Sequence, residues 1–210
     1  MSNGEVNDMK DLYKNKIIRS NSKAAEEIAR ELLCRIDELY TINKITRKSS
    51  YNMQHTGSLD NSKATTETEK RIAISMWNKE YEYIGKILDY EVPLKNSNKD
   101  EGVGKIDLIA YNKKTLTLLE LKVPNSKETL LRCVLEIFTY WKQLDYQKLL
   151  HDFGLPQDTI IKKAVFVFEN SSAHNEYKHN DTHTRRLMNA LNVDMFLIGG
   201  ESENYEVLLP

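Results

Sequence analysis

The sequence predicts an α/β fold, a sheet flanked by helices, and three observations carry that prediction. The first is a pair of apolar runs, Ile106 to Tyr111 and Leu116 to Val123, joined by the short polar segment Asn112-Lys113-Lys114. Two such runs at hairpin spacing read as adjacent antiparallel strands. The second is helical periodicity on either side of them, with stripes at Ile72, Ala73, Met76 and Trp77 and at Leu131, Val134, Leu135 and Phe138. The third is the order of elements from Thr66 onward: helix, strand, strand, strand, helix, strand, helix, strand. Alternation of this kind is built as a sheet covered by helices.

Residues 1 to 20 are polar and mixed, with Lys10, Lys14, Lys16 and Arg19 in a loose basic run that reads as a solvated terminus or a phosphate-contacting arm. From Ser22 one apolar stripe runs through Ala25, Ile28, Ala29, Leu32, Leu33, Ile36 and Leu39-Tyr40. A helix with such a stripe must bury it, either on the downstream core or on a second copy in a homodimer. Periodicity then disappears between Thr41 and Thr66, which reads as a loop or mobile linker carrying a second basic cluster, Lys44, Arg47 and Lys48. Residues 1–63 therefore form a helical extension and linker, and residues 64–210 the main domain.

The main domain opens with a helix near Thr66, whose stripe continues toward Ile84 and Leu88. A strand from Ile87 to Leu94 follows, closed by Pro93 and by the polar turn Asn96 to Gly102. After the central hairpin, Pro124-Asn125-Ser126 stops the strand, and Ser126 is placed to cap a helix starting near Lys127. Ile160 to Phe168 is the next strand. His179 and His183 have the spacing of a metal pair, but Asn180-Asp181-Thr182 argues for a loop or a helix start there. Thr182 or Thr184 caps a short helix bearing Arg185 and Arg186, candidate phosphate contacts. Val193 to Ile198 and Tyr205 to Leu209 complete the sheet, the last as an edge.

Charged residues make up 29% of the 210-residue chain, yet the net charge is −1, so no global positive field marks a nucleic-acid binder. Binding to a polyanion would have to use the local basic clusters. No apolar run approaches twenty residues and the start does not resemble a signal peptide, so the expectation is a cytoplasmic protein without a membrane partner. Cys34 and Cys133 fall among apolar helical residues and read as reduced core side chains.

Three charged side chains interrupt the central strands: Asp107, Glu120 and Lys122. Neither strand alternates cleanly, so both of their faces are expected to be covered, and ionised groups there are costly unless paired, bound to metal or open to a cleft. Strand period two puts Glu120 and Lys122 on one face. With Asp107 brought alongside by the hairpin, two carboxylates and an ammonium converge, which is the chemistry of a divalent-cation site beside a lysine.

Asp107, a gap of twelve residues, then Glu120-Leu121-Lys122 on the next strand resembles the motif of the PD-(D/E)XK nuclease superfamily, with Ile106 where the proline would stand. Glu176-Tyr177-Lys178 and Asp8-Met9-Lys10 have similar spacing but lie outside strands, and only Glu120-Lys122 has an acid one hairpin away. The resemblance covers roughly residues 64 to 200. It implies a restriction-endonuclease-like core, αβββαβ with a central mixed sheet flanked by helices, and a helical N-terminal extension. It also implies hydrolysis of phosphodiester bonds, of DNA more than RNA, with Mg²⁺ or Mn²⁺ on Asp107 and Glu120 and with Lys122 acting on water or on the transition state. The superfamily's helix glutamate maps to Glu69, with Glu80 as the alternative. In some branches a Gln-x-x-x-Tyr pair supports the site, and here Glu136 and Tyr140 stand in those positions. The alternative implied function is a catalytically inactive module of the same fold, binding nucleic acid or a protein partner.

Overall fold

The computed structural model describes residues 8–57, 68–96, 100, 103–201 and 204–210. A 3₁₀ turn, Met9–Lys14, leads into α1 (Lys16–Ser20), α2 (Ser22–Cys34) and α3 (Ile36–Leu39). Next come α4 (Glu69–Met76), β1 (Glu80–Tyr81), β2 (Gly85–Pro93), β3 (Lys105–Asn112) and β4 (Thr115–Leu121). The remaining elements are α5 (Leu130–Gln143), α6 (Tyr146–Asp152), β5 (Ile160–Phe168), α7 (Ser172–Tyr177), α8 (His183–Ala190), β6 (Asp194–Gly199) and β7 (Glu206–Leu208).

The restriction-endonuclease-like αβββαβ core implied by the resemblance is not what the chain builds, although helices do precede the sheet. Among the described residues all the strands join one seven-stranded mixed sheet in chain order from β1 to β7. The first four strands pair antiparallel, β4–β5 and β5–β6 pair parallel, and β6–β7 is antiparallel again. The parallel steps need long crossovers, which α5–α6 and α7–α8 supply. The sheet curls until its two edges confront each other across a cleft of about 790 Å³ between residues 79–83 and 204–208. Strand twist summed over seven strands drives the sheet toward closure. The two short edge strands that make this possible are what the αβββαβ expectation lacks.

Each face of the sheet has its own core. The inner face gathers Leu108, Ala110, Leu119, Leu121, Ala164 and Phe166 against Ile72, Ala73 and Met76 of α4 and against Tyr205 and Val207. The outer face buries Ile109, Leu116, Leu118, Val165 and Val167 beneath α5. Tyr13, Ile18, Ala25, Ala29 and Leu32 belong to that same outer cluster, so the N-terminal stripe is covered within the chain. A buried bond fixes the arrangement: the hydroxyl of Thr129, fully buried, donates to the carbonyl of Ile18 at 2.5 Å.

Several local expectations change. The N-terminal helix breaks at Arg35, whose φ of −128° interrupts it before α3. The helix before the sheet ends at Met76 rather than continuing its stripe, and residues 58–67, with the expected start at Thr66, lie outside the described residues. The polar turns at 97–99, 101–102 and 202–203 also lie outside them. Thr129, not Ser126, caps α5, accepting from the Arg132 amide, whereas Thr182 caps α8 as expected. Cys133 is buried but Cys34 is exposed, and neither is in a disulfide. Tyr51, within the expected linker, is fully buried. Among the described residues no helix is long and apolar enough to cross a membrane.

Candidate functional site

The β3–β4 hairpin turns through Lys113 and Lys114, with Lys113 at φ 55° and Asn112 paired to Thr115. The same register pairs Leu108 with Leu119 and so carries Asp107 opposite Glu120. An Asp107 carboxylate oxygen accepts the Leu121 amide at 2.8 Å, which locks the aspartate across the end of β4. Glu120 and Lys122 point to the outer face, toward the N-terminal half of α5. Their exposures are 2% and 5%.

Lys122 is the hub. Its ammonium bonds Glu120 and lies 3.5 Å from Glu69, 3.6 Å from Glu128 and 3.5 Å from Glu136. Glu69 comes from the first turn of α4, where Thr68 caps the helix, and it is the most exposed of the four. Glu80 is exposed in β1, away from this group. Glu128, just before the α5 cap, and Arg132, Glu136 and Tyr140 within α5 recur every four residues and make one ladder. In it Arg132 lies 2.8 Å from Glu128 and 3.7 Å from Glu136, and the Tyr140 hydroxyl donates to Glu136 at 3.0 Å. Tyr13 packs edge-on against Tyr140, and Gly104 leaves room for the Tyr140 hydroxyl, which a Cβ at that position would strike.

The structure thus brings together Glu69, Asp107, Glu120, Lys122, Glu136 and Tyr140. It adds Glu128, Arg132 and Tyr13. The four-residue recurrence on α5 was visible in the sequence and leads to Glu128 and Arg132. Tyr13 has no sequence signal, because its contact is tertiary.

Acids outnumber bases here, and the titration behaviour follows. Burial first, then Asp107 and Glu136, push Glu120 well above the usual carboxylate range. Burial, opposed by Lys122 and reinforced by Glu69, pushes Asp107 up to about 7. Glu136 is instead held below its ordinary value, because Lys122, Glu120 and Arg132 together outweigh its burial. Lys122 is raised well above its ordinary value by Glu120, Glu136 and Asp107, which overcome its burial, and stays an ammonium. Among the described residues one oxygen each of Glu120 and Glu136 is buried with no donor from any other side chain or the backbone, and the two carboxyls share a hydrogen bond with each other. A hard divalent cation takes oxygen ligands, so an excess of buried carboxylates fits one, with Asp107 and Glu120 as its holders. Among the described residues the acids converge on the Lys122 ammonium, and no group of three forms a ready-made metal cage.

The basic clusters are mostly engaged. Lys10 pairs with Asp8, Lys14 with Asp11, Arg19 with Glu128 and Lys44 with Asp145. Arg47 is buried, its guanidinium donating to the carbonyls of Ser50 and Lys95. Arg185 stacks on Tyr177 at 3.4 Å. Lys48 and Arg186 are exposed. His179 lies between α7 and α8, while the backbone of His183 is bound by Glu26, so the two histidines do not share a helix.

No protein-family model, curated protein or solved structure matches this chain.

Proposed function

We propose that this chain is a metal-dependent nuclease that hydrolyses phosphodiester bonds in the cytoplasm, with DNA as the favoured substrate. The observation that carries the reading is Glu120, an acid almost wholly buried against two further carboxyls, Asp107 and Glu136, and a lysine that stays charged. A structural salt bridge needs one acid per base, and this cluster holds more acids than it needs. Burying extra carboxylates is costly, and a functional cation explains why they are there.

Asp107 and Glu120 would hold Mg²⁺ or Mn²⁺, which when bound supplies charge neutralisation at the scissile phosphate and a more acidic water. The other roles belong to the chain. Lys122 presents a permanent positive charge to the negative charge that develops on the phosphate oxygens. Glu69, at the exposed mouth, is placed to orient a water molecule by hydrogen bonding. Glu136, fixed by Tyr140 and Arg132, holds Glu120 in register. Lys16, Lys48 and Arg186 are exposed members of the expected clusters, available for backbone phosphates.

The test is incubation of the purified chain with linear, circular and single-stranded DNA and with RNA, in Mg²⁺, Mn²⁺ or EDTA. Cleavage that requires the metal and disappears in Glu120→Gln is expected. No cleavage of any substrate, with nucleic-acid binding retained, would favour an inactive binding module in which the acids only satisfy Lys122.

A further inference from the structure

At the far end of the same face, away from Lys122, a second lysine is buried with no carboxylate at ion-pair distance among the described residues. Lys163 of β5 is 5% exposed, and its ammonium lies 3.9 Å from the centre of the Trp141 ring and 5.7 Å from that of Phe138. The nearest acid, Asp194 of β6, pairs at 3.6 Å with the neighbouring Lys162 instead. Lys163 lines a pocket of about 480 Å³ between β5, Trp141 and the end of α8. Asn189 and Asn192 form its polar wall, and Tyr40 of α3 lies at its rim. Buried ammonium groups normally have an anion. This one lies over a π face, with the Asp194 carboxylate elsewhere in the same pocket.

We propose that this pocket is a carbonyl-accepting site in which the Lys163 amine is the nucleophile, taking a small aldehyde or ketone as an imine. The amine lone pair attacks the carbonyl carbon, and a proton passes from nitrogen to the former carbonyl oxygen, giving a carbinolamine. The Asp194 carboxylate in the same pocket takes a proton from the Lys163 ammonium and returns it to the departing hydroxyl, so water leaves and the C=N bond forms as a protonated imine with no oxidant or reductant. Asn189 and Asn192 supply amides for the polar groups of the guest. Burial also lowers Lys163 to about 8, a shift that Asp194 only partly opposes. Roughly a quarter of the side chain is then neutral at pH 7.5, against about one part in a thousand for an ordinary lysine. The charged groups facing it are Asp194 and Lys162, with Lys142 beyond, over Tyr40. This inference is independent of the nuclease reading.

The experiment uses the full chain with pyridoxal at pH 7.5, trapped by cyanoborohydride and mapped by mass spectrometry. Lys163 should be labelled first, on the order of a hundredfold faster than surface lysines. That preference should vanish in Lys163→Arg, and also in wild type unfolded by denaturant. Labelling spread evenly over surface lysines with Lys163 unmodified, or equal rates in folded and unfolded chain, would overturn the proposal. Because the readout is on wild type, it does not depend on any variant folding.

Discussion

Replacing Lys122 with Met keeps the volume of the side chain and removes the charge that four carboxylates share. Glu120 and Glu136 are buried, at 2% and 8% exposure, so they cannot turn to water for compensation. Breaking a buried pair by removing one partner typically costs about 3–5 kcal/mol. For a chain of this size that corresponds to a fall of about 10 °C in melting temperature. The same variant leaves Asp107 and Glu120 free to bind a cation more tightly, since a nearby positive charge has gone. Melts of wild type and Lys122→Met in EDTA and in millimolar Mg²⁺ or Mn²⁺ test both halves. The variant should be the less stable in EDTA and should gain more from the metal, while cleavage falls by on the order of a hundredfold or more. If it melts like wild type in EDTA, or gains nothing extra from the metal, the charge balance described for this site is wrong.

Other expectations follow from neighbouring contacts. Asp107 has a folded pKa, about 7, above its unfolded value, so protonation stabilises the fold below about pH 4 and that contribution is gone above about pH 7. In EDTA, Asp107→Asn should therefore gain on wild type as pH rises through that window, by up to about 4 kcal/mol; a constant difference would contradict this. Tyr140→Phe removes the 3.0 Å bond to Glu136 and the hydroxyl's contact with Tyr13, and should cost about 1 kcal/mol in a denaturant melt. Gly104→Ala drives a methyl into the Tyr140 hydroxyl and should lose more stability than Tyr140→Phe, about 1–3 kcal/mol, and more activity. Ile18→Ala should cost about 2–5 kcal/mol by urea unfolding, because that side chain is in the main core and is 1% exposed.

The hairpin was legible because its signal is local: two apolar runs, a short polar connection and three charges that could not be casual. Period two then placed Glu120 and Lys122 on one face without any knowledge of the fold. The α5 pair Glu136 and Tyr140 was legible through helix spacing. What the sequence hid was tertiary. Tyr13 and Ile18 sit in a polar-looking stretch and are buried by partners more than a hundred residues away, through contacts such as Thr129 to Ile18. β1 has two residues, too few to show an alternation, and α6 has seven, too few for its stripe to stand out. The β7 edge was legible as Tyr205 to Leu209, but without β1 at the other edge the sheet reads as a conventional covered one. Composition also shows where basic residues are but not whether they are spoken for, and Arg47 spends its guanidinium on two backbone carbonyls.

The most direct test of the central claim is calorimetric titration of Mn²⁺ into metal-free wild type and Glu120→Gln at pH 7.5. Wild type should bind with release of protons, because Asp107 and Glu120 must give theirs up to coordinate. Below pH 7 its affinity should weaken by at least about tenfold per pH unit, and Glu120→Gln should bind far more weakly at every pH. A wild-type protein that takes up no divalent ion at millimolar concentration, or one that binds it equally well without the Glu120 carboxylate, would contradict the account.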